Sequence, residues 1–483
     1  MSAIMLQGTG SDVGKSVLVA GICRLLTNRG MAVLPFKPQN MSNHAAVTGD
    51  GGEIGRAQAL QALACRAPFS VDMNPVLLKP QSDRTAQVVV HGRVQGTLGA
   101  EYYRARKGEL LDAELASYRR LRARADIVIV EGAGSPAEIN LRAGDIANMG
   151  FARAAGVPVV LVGDIDRGGV IASLVGTKAV IDPQDAAMIR AFVINKFRGD
   201  VSLFDDGYIE IEQRTGWEGL GVVPWLSAVA ALPAEDAVTL QTNDADGGKG
   251  RMEIAVPMLS RIANFDDFDP LAQEPGVSLT MVPPGQVIPA TADLVILPGT
   301  KATIADLAFL RAQGWDVDIA GHVRRGGRIL GICGGYQMLG RSVADPHGIE
   351  GKAERVEGLG LLPVDTMIGT DKTTRQARGI RISDGAAFAG YEIHAGETTG
   401  TAPPLLRMAD GRDEGAVSAD GKIAGCYIHG LFNMAAQRQG WIDTPSNGQD
   451  QHAIVDDALD RLAAELAKVI AVDRLLEIAT EAA

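Results

Sequence analysis

The sequence predicts an α/β protein built from two doubly wound α/β domains. Its 483 residues exceed what one core holds, since a domain averages about 150 residues. Short apolar runs alternate with helical segments on both sides of a polar stretch near residue 245. The runs stop at glycine or polar residues, which is typical of parallel strands buried on both faces.

The first domain is predicted at residues 1–235. Helical periodicity covers residues 15–29 and 55–64, between short apolar runs. Strands are predicted at residues 4–6, 32–36, 127–130, 157–162, 192–194 and 221–223. This order of elements indicates a doubly wound parallel sheet.

A linker is predicted at residues 236–250, where residues 241–250 contain no large apolar side chain. The second domain is predicted at residues 251–445. Its parallel strands are expected at 252–256, 277–282, 294–297 and 329–332, followed by glycine-rich, antiparallel strands that end at 427–429. Residues 446–483 are predicted to form an amphipathic helical tail.

Composition excludes several classes of function. The net charge is −12 without a basic tract, so nucleic acid is not an expected partner. No apolar stretch reaches the roughly 18 residues that span a bilayer, and the first residues do not resemble a signal peptide. Cys23, Cys65 and Cys426 are expected to be buried, reduced cysteines. We therefore expect a cytoplasmic protein.

A glycine-rich loop, GTGSDVGKS at residues 8–16, follows the first predicted strand and opens a helix. Backbone N–H groups at such a helix start can cradle phosphates, while Lys15 neutralises phosphate charge and the Ser16 hydroxyl holds Mg²⁺. The first glycine lies one residue further from Gly14 than in the usual P-loop. A glycine-rich turn with a surface lysine is the structural alternative. The predicted nucleotide site consists of Thr9, Gly10, Asp12, Val13, Gly14, Lys15 and Ser16.

Acidic residues follow two further strands of the same sheet. Glu131 and Asp164 come at strand ends near the phosphate loop, where carboxylates bind Mg²⁺ directly or through water. We predict a metal site formed by Ser16, Glu131 and Asp164. Asp166 and Arg167 are predicted to bind substrate, and a local Asp–Arg ion pair is the alternative.

A polar segment also leaves the second predicted strand. It carries Lys37, Asn40, Ser42 and Asn43, whose amide, hydroxyl and ammonium groups suit substrate carboxylates or amides. A solvated turn is the competing interpretation. We predict that these four residues bind substrate.

The second domain contains one cysteine in a distinctive setting. Cys333 lies between a predicted buried strand and a helix, in the run GICGGYQML, with glycines on both sides. Glycine permits the strained turn that exposes a nucleophile, and the helix N-terminus stabilises a thiolate. Cys333 is therefore the predicted catalytic nucleophile.

Cys333 needs a general base, and His429 is the preferred candidate because it ends a short apolar strand and precedes a glycine. His394, on another strand-like stretch, is the competitor. Backbone amides of Gly299 and Gly334 are predicted to form an oxyanion hole.

The elbow at Cys333 with His429 resembles a class I glutamine amidotransferase domain. Such domains usually carry an acid two residues after the histidine, where this chain has Leu431. In that respect the domain resembles the cobyrinic-acid amidase branch, which works with a Cys–His dyad. The third member of the triad stays open.

The first domain resembles the dethiobiotin synthetase group, which has the same longer phosphate-loop spacing and matching positions for Lys37 and Glu131. Together the two halves resemble the cobyric acid synthase family. One departure is His44, where that family more often has a second asparagine. The resemblance is carried by residues 35–43, 53–58, 74–80, 135–141, 163–169 and 195–200.

The resemblance implies a P-loop-type synthetase domain followed by a class I glutaminase. It implies that ATP, with Mg²⁺, and glutamine are consumed to amidate the b, d, e and g carboxylates of adenosylcobyrinic acid a,c-diamide in cobalamin synthesis. The alternatives are another two-domain amidoligase, such as a cobyrinic acid a,c-diamide synthase or a cell-wall precursor amidase, and a ParA-like ATPase switch. The oligomeric state is left open.

Overall fold

The computed structural model describes residues 2–80, 85–99, 105–233 and 252–481. Its contacts divide these residues into two compact units. The described residues of 1–42, 52–232 and 455–483 form unit 1, and those of 43–51 and 233–454 form unit 2. The predicted linker at 236–250 lies outside the described residues. The predicted domain limits stay predictions, but the predicted α/β class is confirmed.

The first part of the chain alternates strands and helices. Its helices are α1 (Lys15–Asn28), α2 (Arg56–Ala64), α3 (Lys107–Arg122), α4 (Met149–Ala155), α5 (Val170–Val180), α6 (Pro183–Ala186) and α7 (Asp205–Thr215). Its strands are β1 (Ser2–Gly8), β2 (Val33–Phe36), β3 (Gln39–Met41), β4 (Ala45–Val47), β5 (Glu53–Gly55), β6 (Val76–Pro80), β7 (Thr85–Val90), β8 (Arg93–Gly99), β9 (Ile127–Glu131), β10 (Val159–Asp164), β11 (Ile189–Phe197) and β12 (Glu218–Pro224).

The main sheet of unit 1 is parallel, with the strand order β12-β11-β10-β1-β9-β2. Apolar clusters cover both of its faces, as the continuous apolar runs predict. Because β1 lies between β9 and β10, the carboxyl ends of these three strands meet at one edge. Such an edge is where open α/β sheets bind ligands.

A smaller sheet in unit 1 has the order β3-β6-β7-β8, in which β3 and β6 are parallel and the later pairs antiparallel. It places the polar segment around Asn40 beside β6, which carries Lys79. Of the four predicted substrate residues, Asn40 lies on β3, while Lys37, Ser42 and Asn43 lie outside its bounds.

Unit 2 contains two sheets. The first has the order β14-β13-β15-β16-β24-β23, and the second has the order β18-β17-β19-β20-β25 with β21 and β22 attached. Its helices are α8 (Asp269–Ala272), α9 (Thr303–Ala312), α10 (Trp315–Arg324), α11 (Gly334–Leu339) and α12 (Ala435–Gln439). Its strands are β13 (Met252–Pro257), β14 (Val277–Val282), β15 (Leu294–Leu297), β16 (Arg328–Ile332), β17 (Ser342–Asp345), β18 (Glu354–Glu357), β19 (Val364–Arg381), β20 (Ala387–Gly400), β21 (Leu406–Met408), β22 (Asp413–Glu414), β23 (Ala416–Val417), β24 (Ile423–Cys426) and β25 (Ile428–His429).

The predicted helical tail consists of two helices, α13 (Gln451–Val469) and α14 (Val472–Glu481). From Val455 onward they belong to unit 1, where their apolar side chains join one of the two clusters on the main sheet. Leu462 and Leu466 lie against Gly21 of α1, so closely that any side chain at Gly21 would collide with them. In the described ranges, no helix combines the length and apolar character that crossing a bilayer requires.

Candidate functional site

Cys333 sits at a sharp corner between β16 and α11. Its backbone has φ 52° and ψ −111°, a strained conformation for a residue with a side chain. The chain packs so tightly that a methyl group at Gly331 would lie 2.6 Å from the Gly335 carbonyl oxygen. The Cys333 amide donates a 2.8 Å hydrogen bond to the Cys426 carbonyl, which anchors the corner to β24.

The structure places His429 at the end of β25, where the Cys333 sulfur helps to raise the pKa of its imidazole. The Cys333 thiol donates a 3.7 Å hydrogen bond to the Ile393 carbonyl oxygen. The competing candidate His394 is engaged elsewhere. The His394 ring stacks on Tyr427 at 3.8 Å between centroids, and its Nδ1 lies 2.8 Å from the Gly396 carbonyl oxygen. The two histidines thus have different surroundings, and the assignment of His429 as the base stays a prediction.

Asp267 completes this group, and sequence reasoning missed it. Its Oδ2 lies 2.7 Å from His429 Nδ1, and its Oδ1 accepts a 2.6 Å hydrogen bond from the Gly430 amide. Both side chains are almost fully buried. The available signal was the run NFDDF at residues 264–268, an acidic cluster just after the first strand of the second domain.

The environment of His429 favours its protonated form. Burial alone lowers the pKa of an imidazole, but the charge of Asp267 and its hydrogen bond, assisted by Cys333, outweigh burial and raise the pKa of His429 to about 10. The raised pKa favours an imidazolium at neutral pH, paired with the Asp267 carboxylate. That arrangement suits proton donation to a leaving group.

The two predicted oxyanion-hole glycines also lie at this corner. A methyl group at Gly299 would lie 2.9 Å from His429 Cε1, and one at Gly334 would lie 3.1 Å from the Thr300 amide nitrogen. The Gly334 amide is in the first turn of α11, where N–H groups have no acceptor within the helix. Cys333, His429, Gly299 and Gly334 are thus brought together.

In unit 1 the predicted phosphate loop connects β1 to α1. Gly14, with φ 90°, caps the helix, and Asp12 also has a left-handed backbone, with φ 57°. Lys15 Nζ donates to the carbonyl oxygens of Gly10 and Gly134, at 3.0 and 3.3 Å. The loop rests on the neighbouring strands, since the Thr9 amide donates to the Val162 carbonyl and Asn195 donates to that of Val13.

Glu131 lies beside this loop and accepts hydrogen bonds from three side chains. Its Oε1 is 2.7 Å from both Ser16 Oγ and Lys37 Nζ, and its Oε2 accepts from Gln61. Burying the Lys37–Glu131 ion pair is costly unless such hydrogen bonds compensate. The structure thus brings together one predicted substrate residue and two predicted metal ligands.

The oxygen atoms of Ser16 and Glu131 fit a magnesium ion. Mg²⁺ typically takes one or two protein oxygens and fills its other positions with water and phosphate oxygens. Within the part of the chain that the structure describes, no three His, Cys, Asp or Glu side chains cluster as a ready-made metal site.

Asp164, the third predicted metal ligand, pairs with Lys196 at 2.9 Å, and Lys196 also donates to the Asp12 carbonyl of the loop. Asp166 pairs with Arg198 at 2.6 Å. Arg167 lies 3.7 Å from Asp12. Asp164 and Arg167 thus lie beside the phosphate loop. Asp166–Arg198 and Arg167–Asp12 are Asp–Arg pairs, as in the alternative interpretation, but their partners are distant in the sequence, whereas Asp164 pairs with a lysine.

Of the remaining predicted substrate residues, Asn40 belongs to a buried polar cluster of unit 1. Asn40 donates to Gln58 at 3.0 Å, and the Ser42 amide donates to the Leu78 carbonyl at 3.0 Å. Asn43 is assigned to unit 2. The sequence analysis assigned no role to Lys79 and Glu53, which form a buried ion pair in unit 1.

Comparisons with known proteins agree with the geometry of both units. Residues 4–240 match the family model "CobQ/CobB/MinD/ParA nucleotide binding domain". Residues 253–437 match the model "CobB/CobQ-like glutamine amidotransferase domain". The fold and the site thus define a glutamine amidotransferase that also carries a nucleotide-binding domain.

Full-length relatives make the assignment more specific. The chain is 66% identical to a cobyric acid synthase of Sphingopyxis alaskensis and 63% identical to one of Rhizorhabdus wittichii, each over 99% of both chains. It is also 63% identical to a cobyric acid synthase of Novosphingobium aromaticivorans, over 98% of this chain and 97% of the relative. The chain belongs to the cobyric acid synthase family and is an amidoligase enzyme.

Proposed function

We propose that this enzyme uses ATP and glutamine to amidate the b, d, e and g carboxylates of adenosylcobyrinic acid a,c-diamide. The observation that carries this proposal is that one chain holds both the Cys333–His429–Asp267 group and a glycine-rich loop with Lys15 and Ser16 at the start of α1. Glutamine supplies the nitrogen in unit 2, and the carboxylates are activated in unit 1. The full-length similarity to cobyric acid synthases supports this choice of substrate.

In unit 2, the Cys333 thiolate attacks the side-chain amide carbon of glutamine. The oxyanion accepts hydrogen bonds from the backbone amides of Gly299 and Gly334. The carbon–nitrogen bond then breaks as the His429 imidazolium gives its proton to the departing ammonia. Neutral His429 next takes a proton from water, which attacks the thioester, and the products are glutamate and the free thiolate.

Asp267 has a positioning role in this scheme. Its carboxylate accepts the Nδ1 proton of His429, so the Nε2 side of the ring is directed at the sulfur and the leaving nitrogen. The same carboxylate stabilises the imidazolium by charge. We therefore propose a Cys–His–Asp triad in place of the dyad that the resemblance implies.

In unit 1, a corrinoid carboxylate takes the γ-phosphoryl group of ATP, which leaves ADP and an acyl phosphate. Lys15 neutralises charge on the moving phosphoryl group. Ammonia then attacks the acyl carbon, phosphate leaves, and an amide remains. Activation is needed because a carboxylate by itself does not accept an amine at neutral pH.

Ser16 and Glu131 are the proposed ligands of Mg²⁺. Asp164 pairs with Lys196, which also donates a hydrogen bond to the Asp12 carbonyl of the phosphate loop. When bound, the ion supplies charge neutralisation and orientation for the phosphates. Lys37 holds the Glu131 carboxylate in place by their 2.7 Å contact. The proposed groups that hold the corrinoid amides and carboxylates are Asn40, Ser42, Asn43, Asp166 and Arg167.

The proposed compartment is the cytoplasm, which keeps thiols reduced, in keeping with four free cysteines.

The test separates the two chemistries. Cys333→Ser is expected to abolish amidation with glutamine while ammonium salts still support it. The product, counted by mass spectrometry from adenosylcobyrinic acid a,c-diamide, should carry four new amides. If a folded Cys333→Ser enzyme made no amide from ammonium either, the division of labour would be wrong. Fewer than four amides from the wild-type enzyme would contradict the proposed substrate.

A further inference from the structure

Nine residues from the first half of the sequence belong to unit 2. The segment Asn43–Gly51 follows directly on the predicted substrate-binding stretch, and contacts assign it to the glutaminase unit. It is well packed, because Ala45, Ala46, Val47 and Thr48 are all buried. Gln376 of β19 also donates a 2.6 Å hydrogen bond to the Val47 carbonyl. The nucleotide site does not account for this segment.

The segment holds one residue of unit 2 by both its backbone and its side chain. His44 Nδ1 accepts a 2.8 Å hydrogen bond from the Asn264 amide, and the Ala45 amide donates to Asn264 Oδ1 at 3.1 Å. The His44 ring also packs edge-on against Phe265, with 4.2 Å between centroids. Asn264 therefore has a fixed backbone and a fixed side chain.

Asn264 needs such support because its backbone is left-handed, with φ 53°. Its side-chain nitrogen donates to the Tyr391 hydroxyl at 3.1 Å. The Tyr391 ring in turn stacks on the His429 ring, at 5.4 Å between centroids and 20° between planes. One face of the catalytic imidazole thus rests on a ring that Asn264 holds.

The same turn also carries the carboxylate that binds His429. The Asp267 amide donates to the Asn264 carbonyl at 3.1 Å, so the position of Asn264 sets the start of the turn that presents Asp267. The turn at residues 264–267 therefore contacts His429 directly through the Asp267 carboxylate and indirectly through the Tyr391 ring. His44 and Ala45 are hydrogen-bonded to Asn264 at the start of this turn.

We propose that His44 is a positioning residue of the glutaminase, acting on His429 through Asn264, Tyr391 and Asp267. This inference rests on the proposed function of unit 2 as a glutaminase. It gives a residue from the first half of the sequence a part in glutamine hydrolysis.

The test measures glutamate release and ammonia-dependent amidation separately in the full-length enzyme. His44→Ala is expected to lower the kcat of glutamate release roughly 10- to 100-fold, the usual cost of a misplaced catalytic group. The KM for glutamine should stay unchanged, because His44 does not touch the substrate. Amidation from ammonium salts should keep its wild-type rate.

Rescue distinguishes positioning from simple packing. His44→Asn is expected to recover most of the lost kcat, because asparagine Oδ1 occupies nearly the place of histidine Nδ1 and can accept the Asn264 amide. Tyr391→Phe, which removes only the hydroxyl, is expected to lower kcat as well. Combined with His44→Ala it should add less than its separate effect, since both changes break one network. His347→Ala, at an exposed histidine, is the control.

Three results would overturn the proposal. They are a wild-type kcat in folded His44→Ala, an equal loss of ammonia-dependent amidation, and no difference between His44→Asn and His44→Ala. If His44→Ala does not fold, a wild-type kcat in Tyr391→Phe decides against it. Failure of the proposed function would look different, because Cys333→Ser would then lack ammonia-dependent amidation while the His44 variants still changed glutamate release.

Discussion

Asp267 decides the charge of the catalytic imidazole. A buried histidine is normally neutral, yet the carboxylate 2.7 Å from Nδ1 raises the pKa of His429 to about 10. The raised pKa also links this pair to folding. The imidazolium contributes stability that is fully present below the ordinary pKa near 6.5 and is lost as the pH rises through about 10.

At the residue scale, Asp267→Asn is expected to lower the kcat of glutamate release roughly 10²- to 10⁴-fold, as loss of a triad acid does elsewhere. Without the carboxylate charge, burial lowers the pKa of His429, so the ring loses its proton at a lower pH. Because the protonated ring is the proposed proton donor, the fall in rate at high pH, the basic limb of the pH–rate profile, should begin at a lower pH. The measurement is kcat/KM for glutamate release as a function of pH.

The control for this prediction is Asp371→Asn, the same change at an exposed aspartate, which should leave the basic limb in place. A folded Asp267→Asn enzyme with reduced kcat but an unshifted basic limb would show that Asp267 supports the fold alone. Asp267→Glu, which keeps the charge, should preserve the limb better than Asp267→Asn.

At the scale of elements, the C-terminal helices behave as part of the core of unit 1. Leu462 and Leu466 of α13 are fully buried against α1 at Gly21, where a side chain would collide with them. Arg24 of α1 is completely buried and pairs with Asp456 of α13. The tail thus covers an apolar face of the main sheet that would otherwise contact water.

Leu466→Ala is expected to destabilise unit 1 by about 2–5 kcal/mol, because it removes a buried side chain and leaves a cavity. The measurement is the midpoint temperature of unfolding of unit 1 in calorimetry, which should be lower in the variant. The transition of unit 1 is identified as the one whose midpoint rises when ATP is added, since a ligand stabilises the unit that binds it. Lys468→Ala, at an exposed position of the same helix, is the control and should stay within about 0.5 kcal/mol of wild type. An equal effect of both variants would contradict the packing described above.

For the whole molecule, the decisive property is that one chain carries two separable chemistries. Lys15→Ala removes the cation that donates to Gly10 and Gly134 in the phosphate loop. It is expected to abolish amide product from glutamine and from ammonium salts alike, while glutamate release continues. Both are measured in one reaction, by mass spectrometry of the corrinoid and by assay of glutamate.

The matched control for Lys15→Ala is Cys333→Ser, which should give the reverse pattern. Amide formation at the wild-type rate in Lys15→Ala would remove Lys15 from the proposed phosphoryl transfer. Loss of glutamate release in folded Lys15→Ala would show that the two chemistries do not separate.

Local motifs could be predicted because each is contiguous in the chain. The phosphate loop with Lys15 and the elbow with Cys333 both join a buried strand to a helix, and glycines meet steric demands within a few residues. The alternating apolar runs predicted the two doubly wound domains for the same reason. Cys333 and His429 are further apart in the chain, and the position of His429 at a strand end, before a glycine, was the reason to prefer it to His394 as the predicted base.

The sequence by itself determined the α/β class, and it placed the glycine-rich loop and the predicted nucleophile Cys333 at turns between a strand and a helix, because spacing along the backbone dictates local geometry. Only the tertiary structure decided which carboxylate binds His429, since Asp267 precedes it by 162 residues and sits on another element. The same holds for the turn that His44 supports and for the face that α13 covers. Contacts between distant residues depend on how sheets and turns pack, and hydrophobic periodicity carries no information about that partner choice.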